Sequence, residues 1–383
     1  MINTSDTEIQ NEIRNLTRKF VNIRIAPVVE KDEETETFRP EIISELGELG
    51  LTGIPISEAY QGGGMGYSEY IIAIEEIARV SAAYAVSVAV SGLPQIILSN
   101  FGTEEQKLKY IPPLATGKAI GAFSLSEASS GSDAASLKTS AVKSGDHYIL
   151  NGTKLWTTQG DSAETIMVMA RVGTGTGSKN ISTFIVEKGT PGFTTGKREK
   201  KMGMNISHTM ELVFDNVKVP INQIVGKEGD GIKISLNALN SGRVTIGACA
   251  VGIAKAALTV ATDHAKLREQ FGKPISSYQG VSFLLADMAT QIDAAELLVR
   301  RAAQLKDGDK KYSTEAAMAK LFATDMAMKV TTDAVQVLGG SGYTREFPVE
   351  RFMREAKVMQ IVEGTNQIQR MIIGQSLTGI RTV

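Results

Sequence analysis

The sequence predicts an α+β protein whose helices and strands occupy separate parts of the chain. Apolar residues recur at three- and four-residue spacing in residues 1–117, which is typical of amphipathic helices. Alternating apolar residues separated by turn residues mark residues 118–225 as a β domain, and helical spacing returns in residues 226–383. This order differs from the alternating strands and helices of a nucleotide-binding α/β fold. We therefore predict three domains with these boundaries.

Composition argues against several functions. The chain has 383 residues, with 41 Lys plus Arg against 42 Asp plus Glu, so it carries no strong field that would attract nucleic acid. Its single cysteine, Cys249, allows no disulfide within one chain and suits a packed helix contact. The three histidines, His147, His208 and His264, lie far apart and lack metal-ligand spacing. We expect neither a nucleic-acid partner nor a bound metal.

The first residues and the apolar stretches indicate where in the cell the protein is located. Residues 1–12 are polar and acidic, unlike a secretory signal or a transit peptide. This predicts a cytoplasmic protein of a bacterium, or a protein of the mitochondrial matrix if an organelle leader has been removed. The long apolar stretch 80–98 contains Ser, Pro and Gln, so we interpret it as a buried helix and expect no membrane span.

Helix signals are clear in the first domain. An apolar stripe at helical spacing runs through residues 9–20. Gly62–Gly66 is rich in glycine like a phosphate-binding loop, but it lacks the Walker lysine, so we interpret it as a turn that opens a helix at Ser68. Thr103 and Gln106 have the spacing of a capping box, which predicts the start of another helix.

Strand signals define the middle domain. Asn151–Gly152 lies between two apolar runs and predicts a β-hairpin turn. Residues 166–172, 183–186 and 211–214 are predicted to form further strands, because they are rich in β-branched and apolar residues and are separated by polar loops.

The last domain is predicted to be a helical bundle. A helix that includes residues 263–272 is expected to stop at Gly272, just before Pro274. Long periodic stretches follow at 282–306, 314–338 and 349–361, and their lengths suit a bundle.

Glu363 is the clearest candidate for a catalytic residue. Apolar residues precede it and Gly364 follows it, so its carboxylate is expected to leave a helix at a glycine break with little water around it. Desolvation disfavours the charged form and raises a carboxyl pKa toward neutrality, which suits a general base. The alternative is an ordinary acid at a helix end in solvent.

Residues 336–343, 351–357 and 360–370 together resemble the acyl-CoA dehydrogenase family. The resemblance extends over nearly the whole chain and implies the family's fold: an N-terminal helical domain, a middle β-barrel or sheet domain and a C-terminal four-helix bundle. It implies an FAD-dependent oxidoreductase of the short-chain, butyryl-CoA-like branch. In that family the matching glutamate, here Glu363, removes the α-proton of an acyl-CoA while FAD takes the β-hydride, giving a trans-2-enoyl-CoA. The Glu363 backbone N–H and a flavin hydroxyl would bind the thioester oxygen.

A Ser-rich segment and the only tryptophan resemble the flavin site of the family. By itself the segment 123–133 is only a loop, and Trp156 could simply fill a core. The resemblance places Trp156 against the flavin and Thr158 near its N5 atom. Ser126 and Ala128 stand where the family usually has Thr and Pro, which puts loop stiffness in doubt. The cofactor-binding residues implied here are Phe123, Leu125, Ser126, Gly131, Ser132, Trp156, Thr157 and Thr158, with Ser132 also facing the substrate.

A third segment resembles the part of the family that holds the pyrophosphate and adenosine of FAD from a second subunit. Arg268 could be an ordinary surface charge, but its planar guanidinium suits phosphate oxygens. FAD shared between chains implies a homo-oligomer, in this family a tetramer built as a dimer of dimers. The remaining cofactor residues implied are Gln270, Phe271, Gln279, Gln336, Val337, Leu338, Gly339, Gly340, Thr365, Asn366 and Gln367.

Substrate residues are implied on a second segment. Asn240, Ser241, Gly242 and Arg243 match a helix on which isovaleryl-type relatives carry their base at the place of Gly242. Arg243 would orient the site, or would be a charge at the N-terminus of a helix that pairs with a neighbour. Gly364 completes the substrate set. Val362 replaces the family's usual Tyr beside the base, so the shape of the acyl pocket stays open.

Resemblance implies an electron-transfer flavoprotein as the electron acceptor. The rivals are an oxygen-using acyl-CoA oxidase or flavin monooxygenase on the same scaffold, and a silent assembly subunit. The acyl chain and the pathway, fatty acid or amino acid degradation, are not specified by the sequence.

Overall fold

The N-terminal part of the protein is helical. The computed structural model describes residues 5–380, so the predicted domain ends at 1–4 and 381–383 lie outside the described residues. The α-helices of this part are α1 Glu8–Arg24, α2 Val29–Thr35, α3 Pro40–Glu48, α4 Tyr67–Ala78, α5 Ala82–Phe101 and α6 Glu104–Ala115.

Local sequence signals explain how these helices begin. The predicted capping box is confirmed: the Thr103 hydroxyl accepts from the Gln106 N–H at 3.2 Å, and the Gln106 side chain accepts from the Thr103 N–H at 3.1 Å. The glycine-rich segment Gly62–Gly66 is a turn, and α4 begins at Tyr67, one residue before the predicted start.

Within residues 5–380, two helices are long and apolar enough to cross a membrane, by length and composition only. These are α5 and α7, Gly231–Leu267. Most of each apolar stretch, 89% and 78%, is buried inside the protein, as in the core helices of a folded domain.

The middle part is one mixed sheet with the order β6-β7-β3-β2-β4-β5-β8. Strands β1 and β2 both pair with β4 in parallel, and the other pairs are antiparallel. The strands are β1 Gly121–Ser124, β2 Ser140–Ser144, β3 His147–Thr158, β4 Thr165–Val172, β5 Ile181–Glu187, β6 Phe193–Arg198, β7 Thr209–Pro220 and β8 Ile224–Val225.

The predicted hairpin turn at Asn151–Gly152 is wrong. Strand β3 continues through both residues, and its pairing with β7 shifts register there, as at a β-bulge. A Cβ on Gly152 would lie 2.6 Å from the Thr139 hydroxyl, so glycine is needed for a close approach and not for a turn. The turn between β2 and β3 lies at Gly145–Asp146, where Gly145 has a φ of +60°.

The C-terminal part consists of three long helices and two shorter ones. They are α7, α8 Gln279–Asp307, α9 Ser313–Leu338, α10 Val349–Met359 and α11 Asn366–Thr378. Helix α7 ends at Leu267, before the predicted Gly272, because the chain turns into a small hairpin of β9 Glu269–Gln270 and β10 Lys273–Pro274. The helix-sheet-helix order confirms the predicted α+β class. Cys249 is free and buried in α7.

Candidate active site

Glu363 lies in the turn that joins α10 to α11, not at the end of a helix. Glu363 and Gly364 both have positive φ values, +56° and +89°, and this conformation is strained for a residue with a side chain. Side chains from three helices bind the two carbonyl oxygens. The Gly364 oxygen accepts from Lys320 Nζ at 2.9 Å and Gln369 Nε2 at 2.7 Å, and the Glu363 oxygen accepts from Gln369 at 3.3 Å and Arg243 Nε at 3.4 Å.

The Glu363 carboxylate faces the space beside Gly242 of α7. Its Oε2 atom is buried and has no hydrogen-bond partner within residues 5–380, although the residue as a whole is partly exposed. A Cβ built on Gly242 would lie 2.6 Å from this atom, so α7 leaves room for the carboxylate only because it has glycine there. Burial raises the pKa of Glu363 to about 7, against the opposing effect of the Arg243 and Lys320 charges. These observations argue against the solvent-exposed alternative.

The backbone of the same turn offers a donor. Within the described residues the Glu363 N–H makes no hydrogen bond to the protein. A free N–H beside a carboxylate with a raised pKa can stabilise negative charge on a bound carbonyl oxygen while the carboxylate takes a proton.

The neighbouring turn of α7 carries the other residues predicted to bind substrate. Arg243 is buried in the middle of the helix, donates to Asn240 Oδ1 at 2.7 Å, and has a pKa lowered by burial. It is thus not a charge at the N-terminus of a helix. The buried Ser241 hydroxyl lies 3.0 Å from the Tyr312 hydroxyl. These contacts fix the helix face that borders Glu363.

The Ser-rich segment and the Trp156 segment are brought together by β3. Leu155 N–H donates to the Ser126 oxygen at 2.9 Å. Lys154, fully buried, donates to the Leu125 oxygen at 2.9 Å and to Glu127 at 2.8 Å. Burial lowers the pKa of Lys154 to about 8, although the Glu127 charge opposes this effect. This buried ion pair holds the loop against the sheet.

Trp156 does not fill the core. Its side chain is 58% exposed and its φ is +63°, so the strand presents a large aromatic face outward at a strained position. Thr158 lies on the same side of β3 and is partly exposed, whereas Thr157 points inward and bonds Ser124 at 2.8 Å. Next to them, a Cβ on Gly131 would meet nothing within 4 Å, so this part of the loop is open. An exposed indole beside an open loop fits a planar flavin ring. Of the other residues predicted here, Phe123 lies in β1 and is partly buried, and Ser132 lies in the loop and is exposed.

The third predicted segment is exposed and separate. Arg268 follows α7, and Phe271, at the tip of the β9–β10 hairpin, is 95% exposed. No hydrogen bond within the described residues joins this segment to the loop or to Trp156. Of the remaining predicted cofactor residues, Gln270, Gln279, Gln336, Gly339, Gly340 and Gln367 are exposed, Thr365 is partly buried, and Val337, Leu338 and Asn366 are buried.

Comparison with known families assigns the chain as a whole. The chain matches the N-terminal domain of acyl-CoA dehydrogenases over residues 7–118, the middle domain over 122–217 and the C-terminal domain over 229–378. The chain belongs to the acyl-CoA dehydrogenase family. These three regions together span most of the sequence, which confirms the resemblance identified from the motifs.

Relatives of similar length support this assignment. An acyl-CoA dehydrogenase of Bacillus subtilis is 50% identical over 97% of this chain and 99% of its own length. The structure of butyryl-CoA dehydrogenase from Megasphaera elsdenii has a TM-score of 0.96 and 44% identity, covering 98% of this chain and 99% of that one. A chain in a structure of the electron transferring flavoprotein of Acidaminococcus fermentans, described as a study of flavin-based electron bifurcation, has a TM-score of 0.97 and 45% identity over 98% and 99%.

Acyl-CoA dehydrogenases depend on FAD, and this chain is an FAD-dependent enzyme of the family. A glutaryl-CoA dehydrogenase of Mycobacterium smegmatis in complex with FADH2 has a TM-score of 0.94 and 32% identity, covering 98% of this chain and 96% of that one. The exposed Trp156 and the open loop at Gly131 fit such a cofactor.

A groove of about 560 Å³ runs along the start of α7 in this acyl-CoA dehydrogenase. Asn240 lies at one point of its lining, and Phe101 and Leu236 supply apolar surface. Lys179 and Lys233 add positive charge. Since Asn240 also bonds Arg243, the groove adjoins the site of Glu363.

Sequence reasoning missed two groups of this acyl-CoA dehydrogenase site. One is the buried pair of Lys154 and Glu127, and the other is Lys320 with Gln369 behind the Glu363 turn. A signal for Lys320 was present, because it falls at four-residue spacing between Ala316 and Thr324, on the buried face of α9.

Proposed function

We propose that this acyl-CoA dehydrogenase acts on short-chain acyl-CoA substrates, straight or branched, and produces trans-2-enoyl-CoA. Glu363 is the base that takes the α-proton. The observation that carries this proposal is the buried, unpartnered Oε2 atom, together with a pKa raised to about 7 by burial. A base with such a pKa is partly ionised at neutral pH and is strong enough to remove the proton.

The Glu363 turn supplies both a base and a hydrogen-bond donor. The carboxylate faces the substrate α-carbon in the gap left by Gly242, while the free Glu363 N–H donates to the thioester oxygen as negative charge develops on it. Arg243 donates to the Glu363 carbonyl and so helps to fix the positions of the Glu363 carboxylate and N–H. Bound FAD supplies the acceptor for the hydride that leaves the β-carbon, and the α,β double bond results.

Residues of the β domain would hold the flavin. Trp156 would contact the ring, and the segment that includes Leu125, Ser126 and Gly131 would bind it through backbone groups. The hydrogen bonds of Lys154 to the Leu125 carbonyl and to Glu127 stabilise this segment. Arg268 of the partner subunit would bind the pyrophosphate.

The groove at α7 carries the CoA moiety. It adjoins Asn240 and therefore leads to the base, and its apolar lining suits the pantetheine chain. Lys179 and Lys233 are placed to neutralise phosphate groups of CoA.

A homo-oligomer, a tetramer built as a dimer of dimers, is the proposed assembly. Large apolar side chains are exposed near the third cofactor segment, at Leu267, Phe271 and Phe283. Such an apolar surface is typical of an interface. Light scattering after size-exclusion chromatography of the holoenzyme tests the assembly, and a monomer with tightly bound FAD would contradict it.

The electron acceptor is proposed to be an electron-transfer flavoprotein. The likeness to the chain in the Acidaminococcus electron transferring flavoprotein structure supports this choice. Oxygen uptake during turnover, or an inability to reduce any such flavoprotein, would favour the oxidase alternative.

Anaerobic titration with a panel of acyl-CoAs tests the reaction and the substrate together. Straight, branched and dicarboxylic thioesters are added one at a time, and loss of the visible flavin absorption is followed. We expect rapid bleaching by short-chain acyl-CoAs. An FAD-loaded protein that no acyl-CoA reduces would contradict the proposal and favour a silent subunit.

A further inference from the structure

Helix α9 buries a lysine directly behind the candidate base. Lys320 is fully buried, and the neighbouring buried residues of its helix face are small, among them Ala316, Ala319 and Ala323. Burial lowers the pKa of Lys320 to about 7, although the Glu363 charge opposes this effect. Burying an ammonium group is costly unless strong partners compensate, so its partners indicate why it is there.

The partners of Lys320 are oxygen atoms of the Glu363–Gly364 turn and of Asn366, the first residue of α11. Its Nζ donates to the Gly364 carbonyl at 2.9 Å and to Asn366 Oδ1 at 2.7 Å. The Asn366 amide nitrogen donates to Thr324 Oγ1 at 2.9 Å and Asp325 Oδ1 at 2.7 Å, which orients its oxygen toward Lys320. Among the described residues no carboxylate lies within ion-pair distance of Lys320. Lys320 therefore interacts with neutral oxygen atoms next to Glu363 and does not form an ion pair with one carboxylate.

The turn needs such support. Glu363 is in the left-handed region at φ +56°, which costs a residue with a side chain about 1 kcal/mol or more. The Gly364 carbonyl has two donors, Lys320 and Gln369, and only Lys320 is charged. Charge-assisted hydrogen bonds are about twice as strong as neutral ones. In its protonated form Lys320 is thus the stronger of the two restraints on the position of this carbonyl.

We propose that Lys320 is a positioning residue for Glu363: its Nζ group holds the Glu363–Gly364 turn by hydrogen bonding and, in its protonated form, places a positive charge near the carboxylate without contacting it. This inference rests on the proposed function, in which Glu363 is the base. Loss of Lys320 has two separable consequences. The Glu363 carboxylate is held less firmly in position, and the positive charge near it decreases.

Other charged and titratable groups also surround the turn, and the Arg243 charge lowers the pKa of Glu363 more than the Lys320 charge does. Asp325 on α9 pairs with Arg370 of α11 at 2.9 Å. Arg243 on α7 contacts the Glu363 carbonyl, and its charge also lowers the pKa of the base. The remaining groups that face this region are Tyr67 of α4, Tyr312 before α9, and Lys357 of α10, which bonds Gln360. Removal of Lys320 therefore leaves Arg243 as the cation that still opposes the burial effect on Glu363.

Two substitutions separate the consequences. Lys320→Met removes both the donor and the charge at similar length, whereas Lys320→Gln removes the charge but keeps an amide donor. Lys329→Met is the matched control, because Lys329 lies on the same helix, is half-exposed and pairs only with Asp333. Each holoenzyme is checked for FAD content and circular dichroism. Anaerobic flavin reduction by one saturating acyl-CoA is then measured from pH 5 to pH 9.

The expected results follow from the geometry. Lys320→Met lowers the plateau rate at high pH about tenfold or more, because base placement matters at the scale of an ångström. Both Lys320 variants shift the midpoint of the rate profile upward by about half a pH unit or more, since a nearby positive charge favours the ionised carboxylate. Lys320→Gln keeps more of the plateau rate, and Lys329→Met matches the wild type in both respects.

Several outcomes would overturn the inference. An FAD-loaded Lys320→Met with the wild-type midpoint and plateau would do so. If Lys320→Met does not retain FAD, the midpoint of the pH–rate profile of Lys320→Gln decides, and a wild-type midpoint overturns the inference. If neither variant retains FAD, Lys320 has only a structural role. Glu363→Gln keeps the two proposals apart. Wild-type reduction by Glu363→Gln would end the base assignment, whereas an inactive Glu363→Gln with unaffected Lys320 variants would end this inference alone.

Discussion

Replacing Glu363 by glutamine should slow the enzyme and stabilise its fold at the same time. The carboxylate has no partner at Oε2, and burial raises its pKa from 4.5 to about 7. Between these values the folded protein keeps a proton that the unfolded chain has lost, so stability falls as pH rises through this window. Above pH 7 the cost of the ionised carboxylate reaches about 3 kcal/mol.

Glutamine resembles the protonated acid in shape and carries no charge, so Glu363→Gln avoids this cost. We expect its free energy of unfolding to exceed that of the wild type by less than about 1 kcal/mol at pH 5 and by about 3 kcal/mol at pH 8. The rate of flavin reduction should fall about 10³-fold, within the range for loss of a general base.

Urea unfolding at pH 5 and pH 8 measures the stability, with protein and FAD concentrations held fixed because both ligand binding and assembly shift apparent stability. Anaerobic stopped-flow reduction by an acyl-CoA measures the rate. The control is Glu346→Gln, the same exchange at an exposed glutamate, which should change neither quantity. An inactive Glu363→Gln that is no more stable than the wild type at pH 8 would refute the view that the carboxylate lies in a dry site.

Three further predictions concern the other segments. Arg268→Ala should weaken FAD retention and oligomer stability together, measured by FAD release and light scattering, and loss of neither would contradict a shared cofactor. Gly242→Glu with Glu363→Gly should regain measurable flavin reduction over Glu363→Gly alone, because a side chain at 242 enters the space of the carboxylate; no gain on any acyl-CoA would show that Gly242 does not face the α-carbon. Lys233→Ala should raise KM for acyl-CoA severalfold but not for the acyl-pantetheine thioester, which lacks the nucleotide. An equal effect on both KM values would show that Lys233 does not bind the CoA phosphates.

Much of the fold follows from local sequence signals. The capping box at Thr103 and the apolar periodicities predict helices because a helix is stabilised by residues three and four apart. The same local reasoning failed at Asn151–Gly152, where a turn signal lies inside β3. Gly152 is needed there for its close approach to Thr139, a contact that sequence neighbours do not reveal.

Glu363 is predicted to be the base from its own surroundings and from the family motif that contains it, since an acid among apolar residues carries its chemistry in the local sequence. The environment that tunes this acid was decided only by tertiary structure. Gly242 and Arg243 on α7, Lys320 on α9 and Gln369 on α11 meet at the turn because the helices pack around it. Packing determines how much water reaches a carboxylate and which charges face it, and those two quantities determine its pKa.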